Sequence, residues 1–251
     1  MEKDLVIGFI TGYNFEKLKP WVYSLIDSGF TGDKALVCYD IDQSVIDELK
    51  KLNFIVVQLK KDEQFNIVVH RFYHLWWLLN TIGVKYRYII TTDVADVIFQ
   101  TNPSDWLNVN NIDGHQIISS GEGLKYKNEP WGINNINLSF GPVVSKGMED
   151  KVIRNAGVIA GTHDAIRDLS INIFMSCRGA PLFVPGGGGP DQASYNFLLS
   201  LNSYGEIEKY TDHFDGWACQ CGTVADPNKI DSFRSNLVDC EPVWDGEYAY
   251  N

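Results

Sequence analysis

The order in which strand-like and helix-like segments alternate over the first 92 residues constrains this chain most. Residues 5–11, 34–39, 54–59 and 86–92 are short runs rich in apolar and β-branched side chains. Between them, 15–28, 44–52 and 65–80 are longer stretches of mixed polarity that read as helices, the first stopping near Gly29. This alternation predicts an α/β fold with a mainly parallel central sheet covered by helices. Such a sheet takes its ligands beyond the carboxyl ends of its strands, so Thr11-Gly12-Tyr13, Tyr39-Asp40 and Asp93 are expected on one edge.

The second half is less regular. Residues 102–130 read as loops, 152–160 as an apolar stretch, and 163–177 as a helix; 181–185 lead into four glycines, Gly186 to Gly189. No low-complexity linker, charge block or internal repeat divides the 251 residues, which predicts a single domain.

Charge and apolar content narrow the partners. Lys and Arg number 21 against 32 Asp and Glu, a formal net charge of -11, and that field repels nucleic-acid backbones and anionic membrane surfaces. No stretch reaches the roughly 18 apolar residues of a membrane span, and no signal-peptide core follows Met1, so the expected location is cytoplasmic, that of the host for a viral chain. Five cysteines, an odd number, read as reduced thiols. Cys219-Gln-Cys221 with Cys240 and His213 could also make a zinc site, although zinc ribbons use longer spacers.

The segment Tyr88 to Gln100 carries most of the chemistry. In a continuing strand Asp93 and Asp96 would face opposite sides, so they converge only where the strand ends near Thr92 and the chain turns. Two carboxylates on such a turn suit a hard cation with positions open for phosphate oxygens. A strand-terminal turn residue and a helix cap account for the same pair equally well.

Asp93-Val-Ala-Asp-Val-Ile-Phe-Gln100, followed by Asn102-Pro103, resembles the Asp-x-Arg-Asp-Val-x-Phe-Gln-x-(Asn/Asp)-Pro stretch of a family of small GT-A glycosyltransferases with relatives in algae, bacteria and large algal viruses. Arg71-Phe72 is similar to that family's Arg-Phe, Asn155-Ala-Gly-Val158 to its Asn-x-Gly-Val, and Asp191-Gln192 with Asn196 to its Asp-Gln-x-x-x-Asn. The matches run in the expected order from Arg71 onward. The resemblance implies a Rossmann-like GT-A domain over 1–251, with a nucleotide-binding half at 1–100 and an acceptor and sugar half at 101–251. It also implies a nucleoside-diphosphate-sugar donor, UDP first by family frequency, a glycan or glycoconjugate acceptor, and Mn²⁺ or Mg²⁺ on Asp93 and Asp96.

The chain departs from the pattern at Ala95, where the family has Arg, and in a C-terminal His motif that the sequence does not carry. His213 is then the downstream candidate for a third metal ligand, against an ordinary loop histidine.

The reaction suggests the other roles. Negative charge grows on the leaving β-phosphate as the sugar becomes oxocarbenium-like, and a cation or Arg71 could neutralise it; a salt bridge between helices is the structural alternative for Arg71. The resemblance sets Asp191 and Gln192 beside the donor sugar, with Asp191 as general base or sugar-hydroxyl ligand, or else only a helix cap. Asn155 would contact the sugar or pyrophosphate. Gly188, within the glycine run, would let backbone approach the donor, or simply turn the chain. Thr11, Gly12, Tyr13 and Asp40 are candidates for the base and ribose, and Glu122 and Trp131 for the acceptor. His70 and His74, among Trp76 and Trp77, read as packing residues. A sugar-1-phosphate nucleotidyltransferase and a non-catalytic nucleotide-sugar or glycan-binding module are the competing functions. The first is weakened by the absence of a Gly-rich, Arg-containing loop after 5–11.

Overall fold

The computed structural model describes residues 3–61, 64–111, 113–185, 187–224 and residue 236. In chain order the elements are β1 (Leu5–Thr11), α1 (Phe15–Asp27), β2 (Asp33–Tyr39), α2 (Gln43–Lys51), β3 (Ile55–Leu59), α3 (Ile67–Thr81) and β4 (Tyr88–Thr92). They continue with α4 (Pro103–Asn110), β5 (Ile117–Lys125), α5 (Pro130–Met148), β6 (Val152–Thr162), α6 (His163–Ser176), α7 (Asp191–Leu199), α8 (Asn202–Gly205), β7 (Glu208–Thr211) and α9 (Cys221–Val224). The seven strands form one mixed sheet in the order β3-β2-β1-β4-β6-β5-β7. Strand β6 runs antiparallel to both its neighbours, and the remaining pairings are parallel. The chain is therefore α/β with a mostly parallel sheet.

Alternation along the strands sorts the core into two layers. Leu5, Ile7 and Phe9 of β1 face α3, α6 and α7 with Val37, Ile89 and Ile159. Val6 and Ile10 face the other way, onto Leu18, Trp21 and Leu25 of α1, Leu49 of α2 and Trp106 of α4. Covered on both faces, these strands read as nearly continuous apolar runs, which is why the sequence reveals them. Helices α1, α3 and α4 start at side-chain caps: Asn14, Asn66 and Asn102 each accept a backbone N–H of the first turn.

Residues 102–130 are not the loops expected from sequence. They hold α4, which opens with Asn102 as cap and Pro103 in its first turn, and β5, a buried strand. Glycine belongs at 121 because a Cβ there would come within 2.2 Å of the Tyr210 hydroxyl oxygen. The β5–β6 register shifts between Gly121 and Lys125, and Glu122 sits at that irregularity, where a strand re-aims its side chains. Among the described residues, no helix is long and apolar enough to cross a membrane.

Candidate functional site

The carboxyl ends of β1, β2, β4 and β5 lie on one edge of the sheet, and the start of β6 lies there with them. At that edge β4 stops at Thr92, whose Oγ1 accepts the Trp21 indole N–H at 2.8 Å. The Asp93 N–H then donates to the Gly157 carbonyl at 2.7 Å. Val94 turns inward onto Gly8 of β1, where a Cβ would lie only 2.4 Å from the valine methyl, so glycine at position 8 makes room for the turn. The turn brings Asp93 and Asp96 onto the wall of one cavity of about 380 Å³. Loss of solvent, and next the Asp93 charge, push the Asp96 carboxyl above its ordinary value.

Arg71, projecting from α3, is the hub behind that wall. Its Nη1 donates to Asp93 Oδ1, and its Nη2 donates to Asp191 Oδ2 and to the Ala156 carbonyl, both at 3.0 Å. The residue is only 6% exposed. Burial alone would lower the guanidinium pKa, but Asp93 and Asp191 outweigh it and hold it above the ordinary value. Its partners are protein groups, so in this structure Arg71 ties two carboxylates together across helices.

Asp191 is the first residue of α7, with Pro190 as the cap residue, so the helix-cap reading of Asp191 gives way to the ion pair with Arg71. Burial pushes its carboxyl up to about 6, against the pull of Arg71 and with a further push from Asp93. Arg71 and Asp191 are not among the residues lining the cavity. Asp191 therefore reaches it by way of Arg71 and Asp93.

One turn along α7, two amides staple the helix to β6. Gln192 Oε1 accepts the Ala156 N–H at 3.1 Å, while Asn196 accepts the Arg154 N–H at 2.8 Å and donates to the Arg154 carbonyl at 2.7 Å. Spacing of four residues puts both on one helix face, and their bonds satisfy strand groups where the β5–β6 register is broken. The Gln192 and Asn155 amides both donate to Glu122 Oε1 at 3.0 Å, and Gln220 also bonds this carboxylate. Burial raises the Glu122 carboxyl, although its three amide partners oppose the shift. Glu122 thus anchors the site from within. Asn155 Oδ1 accepts the Gly157 N–H at 2.7 Å, and a Cβ at 157 would fall 2.8 Å from Asp93 Oδ2, so only glycine leaves that carboxylate oxygen its space.

The cavity lining includes polar Thr92, Asp93, Asp96 and Asn155, and apolar Val97, Phe99, Trp106 and Trp217. Ala95, in the turn between Asp93 and Asp96, is exposed. Thr11, Gly12, Tyr13 and Asp40 share the sheet edge but do not line the cavity. Gly12 and Asp40 take positive φ angles of 66° and 48°, Lys17 Nζ sits 4.0 Å over the Tyr13 ring, and Asp40 accepts the Lys61 N–H at 3.3 Å. Gly188, with φ of 77°, faces Trp131, whose Cζ2 would be 3.7 Å from a Cβ there; Gly186 lies outside the described residues.

His213 does not join the carboxylates. Asp212 and Asp215 form a capping box around a single turn, and the His213 ring is turned inward, 1% exposed and 4.4 Å from the Phe214 ring. It is not part of the cavity wall. His70 stacks on Phe65, and His74 Nδ1 lies 2.7 Å from the Tyr39 hydroxyl, so both pack their helix. Among the described residues no three His, Cys, Asp or Glu side chains gather as a metal set; Cys219 and Cys221 line the cavity, and Cys240 lies outside the described residues.

Sequence reasoning assigned no role to the Ala156 carbonyl, Gly157, Phe99, Trp106 or Gln220. Gly157 alone left a local signal, since an Asn two residues before a glycine suits a side-chain bond to that glycine's N–H. Comparison of the chain with family models finds no match, and comparison with curated proteins finds none.

Proposed function

We propose that this chain is a divalent-cation-dependent GT-A glycosyltransferase. It moves the sugar of a nucleoside diphosphate-sugar, with UDP-sugars as first candidates, to a hydroxyl of a glycan or glycoconjugate acceptor. The observation that carries this reading is the convergence on Arg71. The four stretches that resemble one family are far apart in sequence, yet Asp93, the Ala156 carbonyl and Asp191 all accept hydrogen bonds from Arg71 at the sheet edge that takes ligands. Unrelated segments would have no reason to meet there.

Asp93 and Asp96 would hold Mn²⁺ or Mg²⁺. They fit a hard cation: both offer carboxylate oxygens to one cavity, their like charges crowd each other, and Gly157 leaves space beside Asp93 Oδ2. When bound, the cation supplies Lewis-acid neutralisation of the charge on the leaving diphosphate. The chain's own residues prepare that site. Arg71 fixes the orientation of Asp93, Asp191 holds Arg71 from the opposite side, and both act as positioning residues. Asn155, locked by Glu122 and the Gly157 N–H, offers a polar group to the donor, and Phe99, Trp106 and Trp217 add apolar surface to the same cavity.

Asp93→Asn and Asp96→Asn are each expected to weaken Mn²⁺-dependent binding of a nucleotide-sugar by at least about tenfold, with the far-ultraviolet circular dichroism unchanged. Asp96→Asn is the sharper arm, because Asp93→Asn also weakens a bond to buried Arg71. Calorimetric titration with and without Mn²⁺ measures both. Unchanged Mn²⁺-dependent affinity in the two variants would remove the carboxylates from the cation site.

A further inference from the structure

Cys219 and Cys221 flank Gln220 on the cavity wall, and both are free. Cys221 is exposed, and its Sγ folds back to 3.9 Å from the Cys219 carbonyl oxygen. The two thiols lie near enough for each to shift the titration of the other. Gln220, between them, bonds Glu122, the carboxylate that also holds Asn155 and Gln192. With one residue between them, the two Cα atoms are at most about 7.6 Å apart, and a modest bend brings them within the roughly 4.4–6.8 Å span of a disulfide.

We infer that Cys221 and Cys219 form a redox pair, with Cys221 as the nucleophile toward hydrogen peroxide and Cys219 as the resolving thiol, and that closing it pulls Gln220 away from Glu122. The Cys221 thiolate attacks one peroxide oxygen, the O–O bond breaks, and the departing hydroxide takes up a proton and leaves as water. The sulfur is then a sulfenic acid, oxidised by two electrons while the peroxide is reduced by two. Cys219 attacks that sulfur; the S–S bond forms, the S–O bond breaks, and a second water leaves with the Cys219 proton. A dithiol reductant reverses the closure. Neither step depends on which ligand the cavity takes.

Electrostatics support the assignment of roles. The neighbouring Cys219 thiol lowers the Cys221 thiol to about 6 while Cys219 itself is raised, so Cys221 is the one ionised at neutral pH. The charged groups on the same wall are Asp93 and Asp96, and Glu122 faces Gln220 from β5. All three are acidic. The lowering therefore comes from the partner thiol.

The test uses the full chain, with iodoacetamide and hydrogen peroxide as probes. At pH 6 a thiol of ordinary pKa near 8.5 is about 0.3% thiolate, against about half for Cys221, and the weaker nucleophilicity of the more acidic thiolate cancels about tenfold of that advantage. Cys221 is accordingly expected to alkylate about tenfold faster at pH 6 than the same peptide in the unfolded chain. In Cys219→Ser, the midpoint of its pH–rate curve should move up toward the ordinary thiol range. Stoichiometric peroxide should remove two hydrogens from the protein mass, with digestion mapping a Cys219–Cys221 bond, and Cys219→Ser should instead stop at the sulfenic acid and react with dimedone. Alkylation of Cys221 no faster than in the unfolded chain, an unchanged midpoint in Cys219→Ser, or a peroxide product linking Cys221 to Cys240 would each overturn the pair.

Discussion

Arg71→Ala is expected to lower the free energy of unfolding by about 3–5 kcal/mol at neutral pH, the scale for removing one partner from a buried ion pair. The guanidinium is almost wholly enclosed and neutralises Asp191, whose own side chain is also buried. Without Arg71, the largest offset to the desolvation that already raises Asp191 to about 6 is lost, and its pKa climbs further. The sign follows from proton binding. A carboxyl whose folded pKa is raised binds more protons in the native state, so stability falls as pH rises from the unfolded value near 3.9 to the folded one. In the wild type this fall ends near pH 6; in the variant it continues to higher pH. The deficit should therefore be small near pH 5 and widen toward pH 8. Urea unfolding at both pH values measures it, and a deficit under 1 kcal/mol or one independent of pH would contradict the hub. Adding Asp191→Asn should recover part of the loss by removing the unpaired charge.

Asp191→Asn alone is expected to lower sugar transfer by about 10²-fold, with donor affinity falling alongside turnover. Asparagine keeps an acceptor for Arg71 but loses the charge that holds the guanidinium, and through it Asp93, in place. A pH profile separates this from general loss of structure. Asp191 pairs with Arg71 as an ion only above about pH 6, so wild-type transfer should decline below that pH, and the decline should be missing from the uniformly slow variant. Loss of turnover with unchanged donor affinity would make Asp191 a base that touches the acceptor. Near wild-type transfer would remove it from the site.

The first half of the chain was legible because β1, β2 and β4 are largely buried apolar strands and α1 and α3 start at asparagine caps. The sequence ranges 34–39 and 54–59 differ from β2 and β3 by one residue at their starts. Residues 102–130 were not legible, for two physical reasons. Helix α4 is eight residues with only Trp106, Leu107 and Val109 as large apolar side chains, and Asn102-Pro103 was its one available signal. Strand β5 hides behind the small residues Ser119, Ser120, Gly121 and Gly123; Gly121 is needed for the close approach to Tyr210, and the register breaks along the same stretch. At the site, Asp93, Asp96 and Asp191 could be picked out from motifs. The pairing of Arg71 with Asp191 could not, since the two are 120 residues apart and no local periodicity reports such a bond. His213 was singled out only as the histidine downstream of the motifs, and its sequence carried no sign that Asp212 and Asp215 form a capping box that winds it inward.

The central claim is a cation-dependent nucleotide-sugar donor whose sugar is transferred. The most direct measurement incubates the chain with a panel of nucleotide-sugars, with Mn²⁺ or with chelator, following the melting midpoint and the nucleotide released. The account predicts that at least one donor raises the midpoint only with Mn²⁺, since a ligand held at 100 times its Kd stabilises by about 2.7 kcal/mol, and that the same mixture slowly releases nucleoside diphosphate. A donor that binds equally well in chelator, no donor that binds at all, or pyrophosphate formed from a nucleoside triphosphate and a sugar phosphate would contradict it.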